Sequence, residues 1–226
     1  MSNPILLTCS AVLAILILSV LLHGFLKKHG RKPQLESTAR QLGFIYRGGL
    51  KEKPQDLFGP LRLFCFPGAG SIENAMAKSN PKCLLFDYQY SIPRDQDVRQ
   101  TVAVFTSTRR WPPFVIETRR KERFTVEFMR QLTKKIANWQ YKFDEVDLTS
   151  IPEFAKSYRL LRQKEEKYGL EILPKKFLEC LTANIGWHVE MDKQYILIYQ
   201  HGKRTKPALL KQWFKEASSI FSSLET

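Results

Sequence analysis

The sequence predicts an α+β protein, in which an N-terminal transmembrane helix precedes a mainly antiparallel sheet domain with two hairpin-centred halves and flanking helices. Three observations predict it. Residues 4–26 contain no Asp, Glu, Lys or Arg. Two pairs of segments alternate apolar and polar side chains with a period of two on either side of a polar turn, the pattern of strands half-buried in a sheet. Apolar residues also recur at helical spacing around those pairs, marking helices that lay one stripe on a sheet. The expected divisions are an anchor over 4–26, a basic juxtamembrane linker over 27–33 and a soluble domain over 34–226, with halves 34–147 and 148–226.

A helix over 4–26 would be about 34 Å long, enough to cross a hydrocarbon core of about 30 Å. Thr8, Ser10 and Ser19 can return their hydroxyls to helix carbonyls, so they do not oppose a span. A cleaved signal peptide places positive charge before its apolar run. Here the order is reversed, with nothing basic before the run and Lys27, Lys28, Arg31 and Lys32 directly after it. Cys9 has too few residues before it for a lipoprotein signal. Basic residues beside a span stay on the cytoplasmic side, which puts the N-terminus outside and the domain inside. The four cysteines, Cys9, Cys65, Cys83 and Cys180, are few and irregularly spaced, unlike a disulfide framework.

Every charged side chain lies after residue 26, so the whole formal charge of +14 belongs to the part outside the expected span, linker and domain together. With 12% aromatic and 26% charged residues the composition is globular and not that of a disordered tail. Basic residues concentrate in 27–53 and 109–135. Beside an anionic leaflet the economical partner is the lipid head group, at about 1 kcal/mol per basic residue near the surface. Nucleic acid is the other polyanion that suits the charge, and a solvated basic face is the plainer alternative. The candidate membrane-surface contacts are Lys27, Lys28, Arg31, Lys32, Arg109, Arg110 and Trp111, the last an aromatic beside two cations.

Along the domain, Leu35, Ala39 and Leu42 share one face of a short helix over 34–42, with Gly43 placed to cap it. Phe44 to Arg47 reads as a strand ended by Gly48-Gly49, and 61–66 as a second strand. The strongest strand signal is 83–90, where Leu84, Phe86, Tyr88 and Tyr90 share one face. It pairs across a polar loop with 98–107, where Thr101, Ala103 and Phe105 oppose Val102 and Val104. Pro112-Pro113 introduces a strand at 114–117. Phe124, Phe128, Leu132 and Ile136 mark a helix, and 141–146 returns to a strand. Pro174 opens a helix through Phe177, Leu178 and Leu181. Residues 187–191, an Asp192-Lys193 turn and 194–200 read as a second hairpin. Pro207 opens the last helix, striped by Leu210, Trp213, Phe214, Ala217, Phe221 and Leu224.

The order Gln41-Leu42-Gly43-Phe44, Phe86-Asp87-Tyr88-Gln89-Tyr90, Gln100-Thr101-Val102-Ala103, Pro113-Phe114, Pro152-Glu153-Phe154 and Tyr158-Arg159-Leu160 resembles a family of bacterial membrane-anchored proteins of unknown function. The likeness runs from residue 39 to 224, through a closing pair at Val189-Glu190 and Ile198-Tyr199. It implies a bacterial source and a membrane location, which with the charge rule means the bacterial inner membrane, and brings no activity, cofactor or catalytic residue.

Chemistry-bearing patterns are sparse. No two cysteines have zinc-knuckle spacing, and Cys65 and Cys83 sit in apolar contexts. His188-Val189-Glu190 has the letters of half a zinc-deaminase motif without the P-C-x-x-C half, and strand alternation places both polar residues on a face expected to be solvated. Ser79-Asn80-Pro81-Lys82 matches S-x-x-K in letters, but an Asn-Pro turn cannot supply the helical turn that motif uses. Gly68-Ala69-Gly70 lacks the third glycine of a dinucleotide loop, and Gly202-Lys203-Arg204-Thr205 lacks the upstream glycine of a phosphate loop. Asp87 interrupts an apolar strand on the side opposite Phe86 and Tyr88. If that side is covered it needs a cationic partner, for which Arg99 or Arg159 could serve. The expected function is a non-enzymatic binding or scaffold module at the cytoplasmic membrane surface, with no cofactor, touching anionic lipid or another membrane protein. The alternatives are an enzyme whose dispersed site gathers Asp87, His188 or a cysteine, and a tethered nucleic-acid binder.

Overall fold

The computed structural model describes residues 30–65, 70–92, 96–119 and 143–226, with residues 15, 18 and 19 of the N-terminal segment. Most of the expected anchor, Lys27, Lys28 and the helix expected on Phe124, Phe128, Leu132 and Ile136 lie outside the described residues. Among the described residues, no helix is long and apolar enough to cross a membrane.

Helix α1 covers residues 30–41, so residues 30–33 of the expected linker belong to a helix and not to a spacer. The cause is tertiary: Leu35 and Ala39 are buried in the main core, and Arg31 has a partner in the sheet. Gly43 ends the helix with φ +73°, a left-handed conformation open to glycine. The Gly43 N–H donates to the Arg40 carbonyl at 3.1 Å and the Phe44 N–H to the Ala39 carbonyl at 2.8 Å, which is a Schellman cap. Lys78 Nζ donates to the Leu42 carbonyl at 2.9 Å and sets a cation at the negative end of the helix.

Among the described residues seven strands follow, β1 (Ile45–Leu50), β2 (Ser71–Ser79), β3 (Lys82–Ile92), β4 (Gln96–Thr118), β5 (Phe143–Glu145), β6 (Tyr158–Gln163) and β7 (His188–Tyr199). Every ladder among them is antiparallel, in the order β1-β2-β3-β4-β6-β5, with β7 on β4. Strand β4 organises the sheet. Along one edge it takes β7, from Val102 opposite Tyr199 to Ile116 opposite Val189. Its other edge is shared, with β3 over the first part (Cys83 opposite Phe105) and β6 over the last (Phe114 opposite Arg162). The register shifts between Thr106 and Phe114, where Pro112 and Pro113 have no N–H to give a ladder.

The hairpin read from 83–90 and 98–107 is present. Three other expectations need correcting. Residues 187–200 do not fold back into a second hairpin. They form the single strand β7, whose N–H and C=O groups pair with β4, and Lys193 (φ +54°) bends that strand without reversing it. The expected halves 34–147 and 148–226 consequently share one sheet. Residues 61–65 of the strand expected over 61–66 do not form one: Arg62–Cys65 is a 3-10 turn that buries Leu63 and Phe64. Gly48-Gly49 does not end β1 but forms a bulge inside it, with Gly48 at φ +81°.

Both faces of the sheet are covered. Leu85, Ala103, Phe105, Val189, Ile196 and Ile198 lie under α1, α4 (Lys175–Ala183) and α5 (Leu210–Glu225); the short α3 (Pro152–Ser157) adds Phe154. The stripe expected on the last helix is the buried one. Phe105 stacks on Phe221 at 4.5 Å and on Phe214 at 6.0 Å, while Phe44 meets Phe214 edge-on at 4.9 Å. On the opposite face Phe86, Tyr88, Tyr90, Val102, Val104 and Tyr199 lie under α2 (Pro54–Phe58) and the Arg62–Cys65 turn. Phe58 stacks on Phe86 at 6.2 Å, and Phe64 meets Tyr88 edge-on at 5.2 Å. Phe105→Ala should therefore cost about 3–5 kcal/mol in urea-induced unfolding, since it opens a cavity between sheet and helix α5; a loss under about 1 kcal/mol would contradict that packing.

Candidate functional site

Two clusters of charged side chains lie against the sheet, one on each face. The first is centred on Asp87 of β3, which is 5% exposed. Alternation along β3 points it to the helix-covered face, where apolar neighbours leave it dependent on partners. Arg31 of α1 meets it as a fork, Nε to Oδ2 at 3.1 Å and Nη2 to Oδ1 at 3.0 Å, and also donates to the Thr205 carbonyl at 2.8 Å. Arg204 Nε donates to Oδ2 at 3.1 Å, Asn74 Nδ2 to Oδ2 at 3.0 Å and the Thr101 hydroxyl to Oδ1 at 3.2 Å. Asn74 stands at φ +52° in the β2 bulge, which aims its amide at Asp87, and its Oδ1 accepts from the Tyr46 hydroxyl at 2.7 Å. One carboxylate thus joins α1, β2, β4 and the loop after β7.

The second cluster lies beneath the Arg62–Cys65 turn. Glu190 of β7 is 1% exposed; its Oε2 accepts from the Leu63 N–H at 3.0 Å and its Oε1 from the Tyr199 hydroxyl at 2.9 Å. Burial pushes its carboxyl up to about 7, against the opposing pull of the Leu63 N–H, Arg62 and Tyr199. Arg62 Nη1 donates to Glu117 Oε2 at 2.8 Å, and Arg159 pairs with the other Glu117 oxygen. The His188 ring packs on Tyr199 at 5.2 Å and near His201 at 5.9 Å. Burial, with His201, Arg62 and Arg159 behind it, holds that imidazole down to about 3, so it is neutral at physiological pH. Beside this cluster is a cleft of about 520 Å³ between the Arg62–Cys65 turn and the irregular stretch of β4, lined by Pro60, Leu61, Cys65, Trp111, Pro113, Glu190, Asp192 and others. The Cys65 thiol there is pushed up to about 11 by burial and then by Glu190, so it stays protonated at neutral pH.

The residues singled out in the sequence are distributed differently from expectation. Arg31 is not free for a head group, because Asp87 and the Thr205 carbonyl engage its guanidinium. Trp111 is not a surface aromatic: it is 6% exposed, with its indole N–H donating to Ser107 at 3.0 Å. Lys32 is exposed beside Glu36 at 3.9 Å, and Arg109 and Arg110 are exposed. The partners of Asp87 are Arg31 and Arg204, not Arg99 or Arg159; Arg99 lies 3.8 Å from Asp97 and Arg159 serves Glu117. Glu190 is not solvated, since the turn that covers it comes from a distant part of the chain. Among the described residues no group of three His, Cys, Asp or Glu could hold a metal ion. Arg62 and Glu117 carried no signal in the sequence beyond being polar residues next to apolar ones, and nothing local marked Tyr199 or Arg204 as partners of a buried carboxylate.

Fold and clusters together define a class: a single antiparallel sheet, covered on both faces, in which charged side chains fasten the covering segments. No family model matches the chain, and no curated protein does either. Among solved structures the fold is similar to that of the mycobacterial trehalose monomycolate transport factor A, TtfA, with a TM-score of 0.55 and 8% identity over 86% of this chain and 94% of that one. At that identity the likeness is one of fold.

Two measurements follow. Glu190 titrates near 7 when folded and at its ordinary 4.5 when unfolded, so its contribution is fully present below 4.5 and is lost as pH rises to about 7, on the order of 3 kcal/mol. Glu190→Gln should gain on the native protein in urea unfolding between pH 5 and 8; parallel curves would sink this account. Asp87→Asn should cost about 3–5 kcal/mol by leaving two guanidinium groups underpaired, and Arg31→Met less, about 1–3 kcal/mol. The double substitution should cost less than the sum, and strict additivity would show that the two do not interact.

Proposed function

We propose that this protein is a non-enzymatic scaffold of a membrane-associated assembly, anchored by residues 4–26 with its domain in the cytoplasm. The observation that carries the reading is the seating of α1. Only residues 27–29 separate the uncharged stretch from a helix whose Arg31, Leu35 and Ala39 are built into the sheet and its core. An element that enters the domain this way holds the sheet in one attitude to its tether, which suits positioning a partner better than reaching for a diffusing substrate. The two buried carboxylates support the same reading. The oxygens of Asp87 and Glu190 accept hydrogen bonds that fasten α1, the loop after β7 and the Arg62–Cys65 turn. The resemblance in motif order to bacterial membrane-anchored proteins is consistent with the anchor. The fold of a transport factor makes a membrane transport protein the partner to look for first, with anionic lipid as the surface beneath it.

Fractionation of bacteria producing the full chain with a C-terminal epitope tests this. The chain should remain with membranes through alkaline carbonate, and the epitope should resist protease in intact cells and be cut once the inner membrane is opened. Recovery in the carbonate supernatant, or digestion in intact cells, would refute the anchored cytoplasmic arrangement.

A further inference from the structure

Helix α1 travels alongside the strands and not across them. Arg31 is level with Asp87 and Thr101, whereas at the other end Leu42 is level with Lys78, which faces Cys83 and then Phe105. From Arg31 to Leu42 the helix rises about 17 Å. From Asp87 to Cys83 the sheet advances about 13 Å in the same direction. The chain therefore enters the domain about half-way along β3 and runs away from the end where β3 passes to β4 and β7 runs out into residues 200–206. Leu26 and Gly30 are four residues apart, so at most about 14 Å separates the start of α1 from the last apolar residue of the N-terminal stretch. A head-group layer is itself about 5–7 Å deep.

The loop over residues 202–206 is fixed at this end. The Lys203 carbonyl accepts from the Thr101 N–H at 3.0 Å, the Thr205 N–H donates to the Thr101 hydroxyl at 2.9 Å, and the Thr205 carbonyl accepts from Arg31. Arg204 turns inward to Asp87 and Glu73, while Lys203 and Lys206 are exposed. Lys32 and Arg99 are exposed at the same end. Among the described residues the acidic groups there are engaged: Asp97 accepts from Gln89 and Ser91 and lies 3.8 Å from Arg99, Glu36 lies 3.9 Å from Lys32, and Glu73 lies 3.5 Å from Arg204, which leaves Lys203 and Lys206 as the exposed cations of the loop. Arg109 and Arg110 are elsewhere. Eight residues of β4 separate Thr101 from Arg109, about 26 Å of strand, several times the reach of a surface charge in physiological salt, about 8 Å.

We propose that the domain stands end-on against the bilayer, with Lys203 and Lys206 of the loop after β7 and Arg99 of β4 on anionic phospholipid head groups, and with Arg109, Arg110 and the cleft held away from the membrane. This rests on the anchored reading above and replaces the sequence-based expectation that Arg109 and Arg110 touch lipid. The loop is the lipid contact because Arg31, the residue nearest the anchor among those built into the sheet, is bonded to it directly.

Photo-crosslinking of the full chain tests the orientation. Benzoylphenylalanine is placed singly at Lys203, Lys206, Arg109 or Arg110, all exposed, and each chain is reconstituted into phosphatidylcholine vesicles with or without phosphatidylglycerol. Lipid adducts should form from positions 203 and 206 and not from 109 or 110, and should fall several-fold when phosphatidylglycerol is left out or salt is raised. Adducts from 109 or 110 equal to those from 203, or none from 203 and 206, in a chain that still resists carbonate would overturn the end-on arrangement while leaving the anchor in place. A chain extracted by carbonate would instead remove the anchored reading itself. As a second measurement, K203E/K206E should lower hydrogen-exchange protection of the loop amides on anionic vesicles to the level seen on neutral ones; unchanged protection counts against the loop as the contact.

Discussion

Asp87 draws four donor side chains onto a single carboxylate, and three distant parts of the chain meet because of it. Arg31 arrives on helix α1, Arg204 on the loop after β7 and Asn74 on the bulge of β2. Each is a charged or polar group that the apolar face of the sheet would otherwise reject. The carboxylate needs cations because it is buried, and the arginines need it because they are largely withdrawn from water. Removing one partner exposes the cost of the others, which is why such a cluster specifies an arrangement more than it adds stability. Here the arrangement specified is the attitude of α1 to the sheet.

The opposite face solves a similar problem in another way. Glu190 sits under a turn of backbone and is satisfied by one N–H and one phenol, neither of them charged. Burial pushes its carboxyl toward neutrality against the pull of those two bonds, whereas Glu117 beside it is paired with Arg62 and Arg159. The cleft opens where this covering turn meets the stretch of β4 that Pro112 and Pro113 exclude from regular pairing.

Periodicity in the sequence was enough for several elements. The alternation of 83–90 and 98–107 gave the central hairpin and the correct face for Asp87, and the stripe from Leu210 to Leu224 gave the last helix with its buried side. Gly43 marked the end of α1 because few other residues accept its backbone angle. The uncharged run over 4–26 and the basic residues behind it are likewise properties of sequence alone, as is the restriction of all charge to the residues after 26.

What only the tertiary structure decided are the partners. A period of two says which way a strand residue points but not what lies there, so Glu190 and His188 could not be told from solvated residues. The cover of Glu190 comes from Leu63, 127 residues away from it in the chain. Asp87 plainly needed a cation, yet its cations stand 56 and 117 residues from it. The second apparent hairpin failed for the same reason: 187–191 and 194–200 have the patterning of paired strands, but β4 takes the hydrogen bonds they would have exchanged. Local chemistry determined the elements and the faces they bury; the choice among competing distant partners belongs to the packed sheet, where burial makes only fully paired arrangements stable.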